Sequence, residues 1–163
     1  MTVTKLGTSK GLVVDTNLLV VLVIGSLDPD QISSHKLTSR YSAEDYHLLK
    51  SFVDRFKVVV TTPNILTEAS NLLENYVYRG QQALTVLERV AQFMHEVVYD
   101  SLPTMSTHPK SYLKFGLSDA VIQCVAENNY AVLTDDLNFC AYLQGQGLVA
   151  VNFNNLLTDT LLH

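Results

Sequence analysis

The chain has 163 residues, of which 47% are hydrophobic and 17% charged, with only seven Gly and four Pro; this is ordinary globular composition and excludes a disordered or fibrous protein. Its net charge of −5, from sixteen acidic against eleven basic side chains, excludes a protein that coats nucleic acid by bulk electrostatics, though not a catalytic visitor to nucleic acid. The length predicts a single domain over residues 1–163.

The opening MTVTKLGTSKG has basic residues but no apolar core, so it does not read as a secretory signal. The longest apolar run, Leu18 to Ile24, is far below the ~20 residues of a membrane helix. Cys124 and Cys140 lie in apolar helical patterns rather than in a C-x-x-C pair, and read as structural thiols. A cytoplasmic protein with no membrane partner is therefore expected.

In chain order, Leu12 to Val14 predicts a short strand that runs through Asp15 into an apolar helix over Leu18 to Ile24. Gly25 to Arg40 is polar and reads as a long loop. Ser42 and Asp45 form a capping-box pattern ahead of a helix with Tyr46, Leu49, Phe52, Val53 and Phe56 on one stripe. Lys57 to Thr61 predicts a second strand, and Thr62-Pro63 caps the helix NILTEASNLLENY. Gln81 to Val98 carries apolar residues at helical spacing, which predicts one continuous helix.

Residues 100–115 carry no clear strand pattern. Ser118 is the expected N-cap of the helix DAVIQCVAENN, Tyr130 to Thr134 the next strand, Asp136 to Gln144 a short helix closed by Gly145 and Gly147, and Leu148 to Val151 the last strand. Strands alternating with helices imply an α/β fold whose central, mainly parallel sheet is covered on both faces. No internal repeat interrupts this order.

Ligands of an open parallel sheet bind outside the carboxyl ends of its strands. Asp15 and Asp136 fall at such ends, Glu68 in the second turn of the helix after the second strand, and Asp119 at the start of another helix. Each alone is equally well explained as a helix cap or a partner of the helix dipole. Four together on one rim are not. Clustered carboxylates repel unless a cation lies among them, and oxygen-only ligands suit Mg²⁺ or Mn²⁺. Two such ions support in-line cleavage of a phosphodiester without a protein nucleophile.

At these residues the chain resembles the PIN-domain nucleases. LVVDTN is similar to that family's opening strand and first acid, TPNILTEASNLL to its Glu-bearing helix, GLSDAVIQCVAE to its third-acid helix, and VLTDDLNF to its fourth-acid turn. The resemblance implies a Rossmann-like three-layer α/β/α sandwich and a metal-dependent endoribonuclease with Asp15, Glu68, Asp119 and Asp136 as catalytic metal ligands. It implies single-stranded or structured RNA as substrate. An antitoxin protein and a second copy of the chain are the protein partners it suggests, because many such proteins are toxins of toxin–antitoxin pairs and others process RNA.

The family pattern T-x-D-x-x-F fits Thr134, Asp136 and Phe139, leaving Asp135 at the variable position. Asn17, Thr134 and Asp135 are supporting candidates, the first two orienting carboxylates or water. Arg40, Tyr41, Lys110, Tyr112 and Lys114 are candidate RNA contacts, as cations near aromatics. The five His are scattered without ligand spacing. A phosphatase forming an aspartyl-phosphate wants a second Asp where Asn17 stands. The rival of another class is a binding or scaffold protein that uses the same fold through a partner.

Overall fold

The computed structural model describes residues 5–76 and 79–161, with the side chains of Thr160 and Leu161 left aside. Its centre is an all-parallel sheet of β1 (Leu12–Val14), β2 (Val59–Thr61), β3 (His95–Glu96), β4 (Ala131–Thr134) and β5 (Ala150–Asn152), in the spatial order β3-β2-β1-β4-β5. The chain winds outward from β1 to β3, returns, and continues from β4 to β5 on the other side. Winding reverses between β1 and β4, whose register sets Leu12 beside Ala131 and Val14 beside Leu133. That reversal opens a crevice at the carboxyl ends of these two strands.

Nine helices flank the sheet among the described residues: α1 (Thr16–Leu27), α2 (Ala43–Val53), α3 (Pro63–Glu74), α4 (Gly80–Ala91), α5 (Ser101–Thr107), α6 (Pro109–Phe115), α7 (Leu117–Glu127), α8 (Leu137–Gly145) and α9 (Phe153–Leu161). Parallel strands joined by right-handed crossovers place the helices of opposite winding on opposite faces. The packing agrees, since α1 lies against α2, α3 and α4, whereas α7 lies against α5, α6, β1 and β4. The fold is a three-layer α/β/α sandwich.

Helix α1 explains the apolar run of the sequence. Leu18 through Gly25 are all buried, as a helix apolar on every side must be. Gly25 is needed there because a Cβ would stand 2.2 Å from the ring of Tyr46. Helix α2 begins with the expected capping box, Ser42 and Asp45 each accepting from the other's backbone N–H. Thr62 caps α3 by accepting from the Ile65 N–H at 3.2 Å, with Pro63 in its first turn.

Two local expectations are corrected, and two segments for which no element was predicted are helical. The helix expected over Gln81 to Val98 ends at Ala91, and His95–Glu96 pairs with β2 as the edge strand β3, because the open edge of β2 offers backbone partners that a continued helix would leave unmet. Residues 100–115 form α5 and α6, each with a Pro in its first turn. The loop from Gly25 is shorter than expected, since α1 runs on to Leu27 and a single 3₁₀ turn follows at Pro29–Gln31. Asn152 and Phe153 lead into a further helix, α9, that the sequence did not announce.

Candidate functional site

Asp15 is the first residue past β1 and the N-cap of α1. Its Oδ1 accepts from the Thr16 N–H at 2.7 Å, and its Oδ2 accepts from the Thr134 hydroxyl, at the end of β4, at 2.6 Å. Asp136, two residues beyond Thr134, caps α8 by accepting from the Phe139 N–H at 2.9 Å, while its own N–H donates to Thr134 Oγ1 at 3.1 Å. Both acids therefore serve as helix caps, and both also face the crevice. The two roles coincide because a strand leaving the sheet's carboxyl edge delivers its next residue to a helix N-terminus.

Glu68 arrives from α3, and the Thr16 hydroxyl donates to its Oε2 at 3.0 Å. Asp119 lies in the first turn of α7. The expected N-cap Ser118 is displaced to the second helical position: Gly116 takes the cap, at φ 98° and ψ 177°, a conformation that glycine alone adopts freely. The chain can thus turn sharply from α6 into α7 and present Asp119 to the other three acids. The Ser118 hydroxyl is buried and without a hydrogen-bond partner.

Asp15, Glu68, Asp119 and Asp136 line one cleft of about 230 Å³, together with Thr16, Asn17, Leu72, Phe115 and Leu117 among others. The electrostatics record their proximity. Burial, followed by the charges of Asp15, Glu68 and Asp136, pushes the Asp119 carboxyl up to about 8. Asp15 is pushed up to about 6 mainly by burial, with the Thr134 hydroxyl and the Thr16 N–H opposing and the charges of Asp135 and Glu68 adding. Among the described residues no three acids, His or Cys are drawn together into a ready ligand set. Instead, Asp15 accepts from the Thr16 N–H and the Thr134 hydroxyl, Asp136 from the Phe139 N–H, and Glu68 from the Thr16 hydroxyl.

Of the supporting candidates, Thr134 is fully buried and bridges Asp15 to the Asp136 backbone. Asn17 lines the cleft and donates its amide to Asp135 Oδ1 at 3.3 Å. Asp135 is buried and turned away from the cleft toward Arg40 and Tyr41. Tyr41 is corrected as a contact for RNA bases, because it is buried and its hydroxyl donates to Asp135 Oδ2 at 2.9 Å. Lys110 and Lys114 are exposed on α6, Tyr112 only partly so, and Lys114 lies over the Phe115 ring at 5.1 Å.

Two features were not foreseen. Gly116 needed its positive φ to be seen, although the tripeptide Gly116-Leu117-Ser118 before an acid was visible. His108, at the joint of α5 and α6, places Nε2 3.0 Å from both carboxylate oxygens of Glu127 on α7 and stands 3.6 Å from the Cys124 sulfur through Nδ1. It fastens the α5–α6 segment to α7.

The fold and site define an α/β sandwich with an acid-lined cleft at its topological switch point. No family model and no curated protein matches the chain. Among solved structures it is similar to a domain of a functionally unknown protein from Methanocaldococcus jannaschii DSM 2661, at 21% identity and a TM-score of 0.45, over 86% of this chain and 89% of that one. No described helix is long and apolar enough to cross a membrane.

Proposed function

We propose that this protein is a divalent-metal-dependent endoribonuclease that hydrolyses RNA phosphodiester bonds at the cleft of Asp15, Glu68, Asp119 and Asp136. The observation that carries the reading is that Asp15, Glu68, Asp119 and Asp136, from four separate parts of the chain, line one cleft, where burial and the other three charges push the Asp119 carboxyl up. An all-oxygen donor set fits Mg²⁺ or Mn²⁺, whose charge relieves this repulsion. When bound, such ions lower the pKa of an attacking water and neutralise charge on the leaving oxygen.

The chain's own residues prepare the site. The hydroxyls of Thr134 and Thr16 fix the carboxylates of Asp15 and Glu68. The cap bond to Phe139 fixes Asp136. Asp119, its carboxyl raised by burial and the neighbouring acids, would have to give up its proton to hold a cation. Leu72, Phe115 and Leu117 supply the apolar part of the cleft wall.

This reading has two physiological forms, the toxin of a toxin–antitoxin pair with an antitoxin protein as partner, and an enzyme that processes RNA. It carries a cytoplasmic location, where Cys124 and Cys140, both free and buried, stay reduced. Purified protein is expected to cleave single-stranded RNA with Mn²⁺ and to stop with EDTA. Cleavage that survives Asp15→Asn combined with Asp136→Asn overturns the assignment.

A binding protein on the same fold is favoured by one observation, that Asp15 and Asp136 already have work as helix caps. It predicts neither cleavage nor a Mn²⁺-dependent rise in melting temperature.

A further inference from the structure

Asp135 stands apart from the four cleft acids. Its side chain is 1% exposed, a burial that a carboxylate tolerates only when its oxygens are fully engaged. Tyr41 donates its hydroxyl to Oδ2 at 2.9 Å, Asn17 donates its amide to Oδ1 at 3.3 Å, and the Arg40 guanidinium pairs with Oδ2. This cluster adjoins the cleft, because Asn17 lines it and Asp135 precedes Asp136 in the chain.

Arg40 differs from its partner in exposure. Its side chain is 59% exposed while Asp135 is sealed, and its guanidinium carbon stands 5.2 Å from the centre of the Tyr41 ring. One part of the guanidinium fork is anchored, and more than half of the side chain remains exposed. A guanidinium fixed on one side by a buried acid and steadied on a ring has already lost much of its freedom, so gripping a ligand costs it little further entropy.

We propose that Arg40 binds a backbone phosphate of the RNA adjacent to the scissile one, and that Asp135 is the positioning residue that holds the guanidinium beside the cleft. The inference rests on the RNA-cleaving reading and names the part of the site that grips the strand. A polyanion approaching a chain of net charge −5 and a cleft of four acids needs a protein cation close to the reacting phosphate. A planar fork suits phosphate better than a lysine does. Lys110 and Lys114 on α6 are exposed, but among the described residues neither pairs with a buried acid.

The test uses the full chain and a fluorescein-labelled single-stranded RNA, with affinity read by anisotropy across a salt series and cleavage read in Mn²⁺. Arg40→Gln is combined with Asp135→Asn, so that no buried charge is stranded if the arginine is lost. Arg40→Lys is the second variant, keeping the charge without the fork. The double variant is expected to bind RNA about tenfold more weakly, with the slope of log K against log salt smaller by about one. Its melting-temperature rise with Mn²⁺ should match that of wild type. Arg40→Lys should restore the slope and part of the affinity.

If wild type binds and cleaves RNA and both variants keep its affinity and slope, the role of Arg40 is overturned while the nuclease reading stands. A double variant that loses its Mn²⁺ response places the Arg40–Asp135 pair in support of the metal site and overturns the phosphate role. A wild type that neither binds nor cleaves RNA overturns the nuclease reading and this inference with it.

Discussion

The hydroxyl of Thr134, at the end of β4, donates to the carboxylate of Asp15, just past β1, at 2.6 Å. This bond crosses the sheet where its winding reverses and joins the two acid-bearing strand ends. Thr134→Val keeps the shape of a fully buried side chain but removes the donor to Asp15 and the acceptor for the Asp136 N–H. It is expected to cost about 1 to 2 kcal/mol of stability, measurable by urea denaturation. It also removes a bond that holds the Asp15 pKa down, so the Asp15 carboxyl should titrate higher, a shift that NMR of the carboxyl carbons can follow.

Stability of the metal-free protein should fall as pH rises from about 4 to about 8. Asp119 goes from an ordinary 3.8 to about 8 on folding, so the native state binds this proton more tightly than the unfolded chain does. Its stabilising effect is complete below 3.8 and is lost as pH climbs through about 8. Asp15 acts in the same sense over a window that closes near 6. Melting temperatures in EDTA should slope downward across this range, and Asp119→Asn should flatten the part between 6 and 8.

Mn²⁺ should reverse that loss. A cation held at one hundred times its dissociation constant stabilises the native state by about 2.7 kcal/mol, so the melting temperature at pH 8 should rise in a Mn²⁺ titration. Asp15→Asn combined with Asp119→Asn should abolish the rise. A flat titration in wild type counts against a metal site at this cleft.

Gly116→Ala should cost about 1 to 3 kcal/mol. A Cβ at this position meets nothing within 4 Å, so the penalty is that of a backbone at φ 98°, not of a clash. The turn also aims Asp119, and cleavage should fall by more than the loss of stability explains. Comparing activity with folded fraction at one temperature separates the two effects.

Both thiols should react slowly with an alkylating reagent at neutral pH. Burial, aided by the charge of Asp136, pushes the Cys140 thiol up to about 11, and burial raises Cys124 as well. Reaction should become rapid only on unfolding. Fast labelling of the native protein would show that the helices covering these thiols open readily.

Much of the fold was legible because its signals are local. The capping box at Ser42 and Asp45, the Thr62-Pro63 helix start and the β-branched strand words each depend on a few adjacent residues, and the structure keeps them all. The expected helix through Val98 failed for the opposite reason, since β3 exists only because β2 offers an open edge to pair with. Helices α5 and α6 are a single turn or two each, too short for an apolar stripe to announce them.

The sequence by itself determined that four acids stand at strand ends and helix starts, since a carboxylate's distance along the chain from a strand or a cap is a local property. Only the tertiary structure decided which acids meet. Sheet order set Asp15 beside Thr134, the turn at Gly116 brought Asp119 to the same cleft, and burial separated Asp135 from Asp136, although the two are neighbours in sequence. Asp136 faces the cleft with the other acids, whereas Asp135 faces Arg40 and Tyr41, residues about 95 positions away. Charges interact through space, and their partners are chosen by packing rather than by order in the chain.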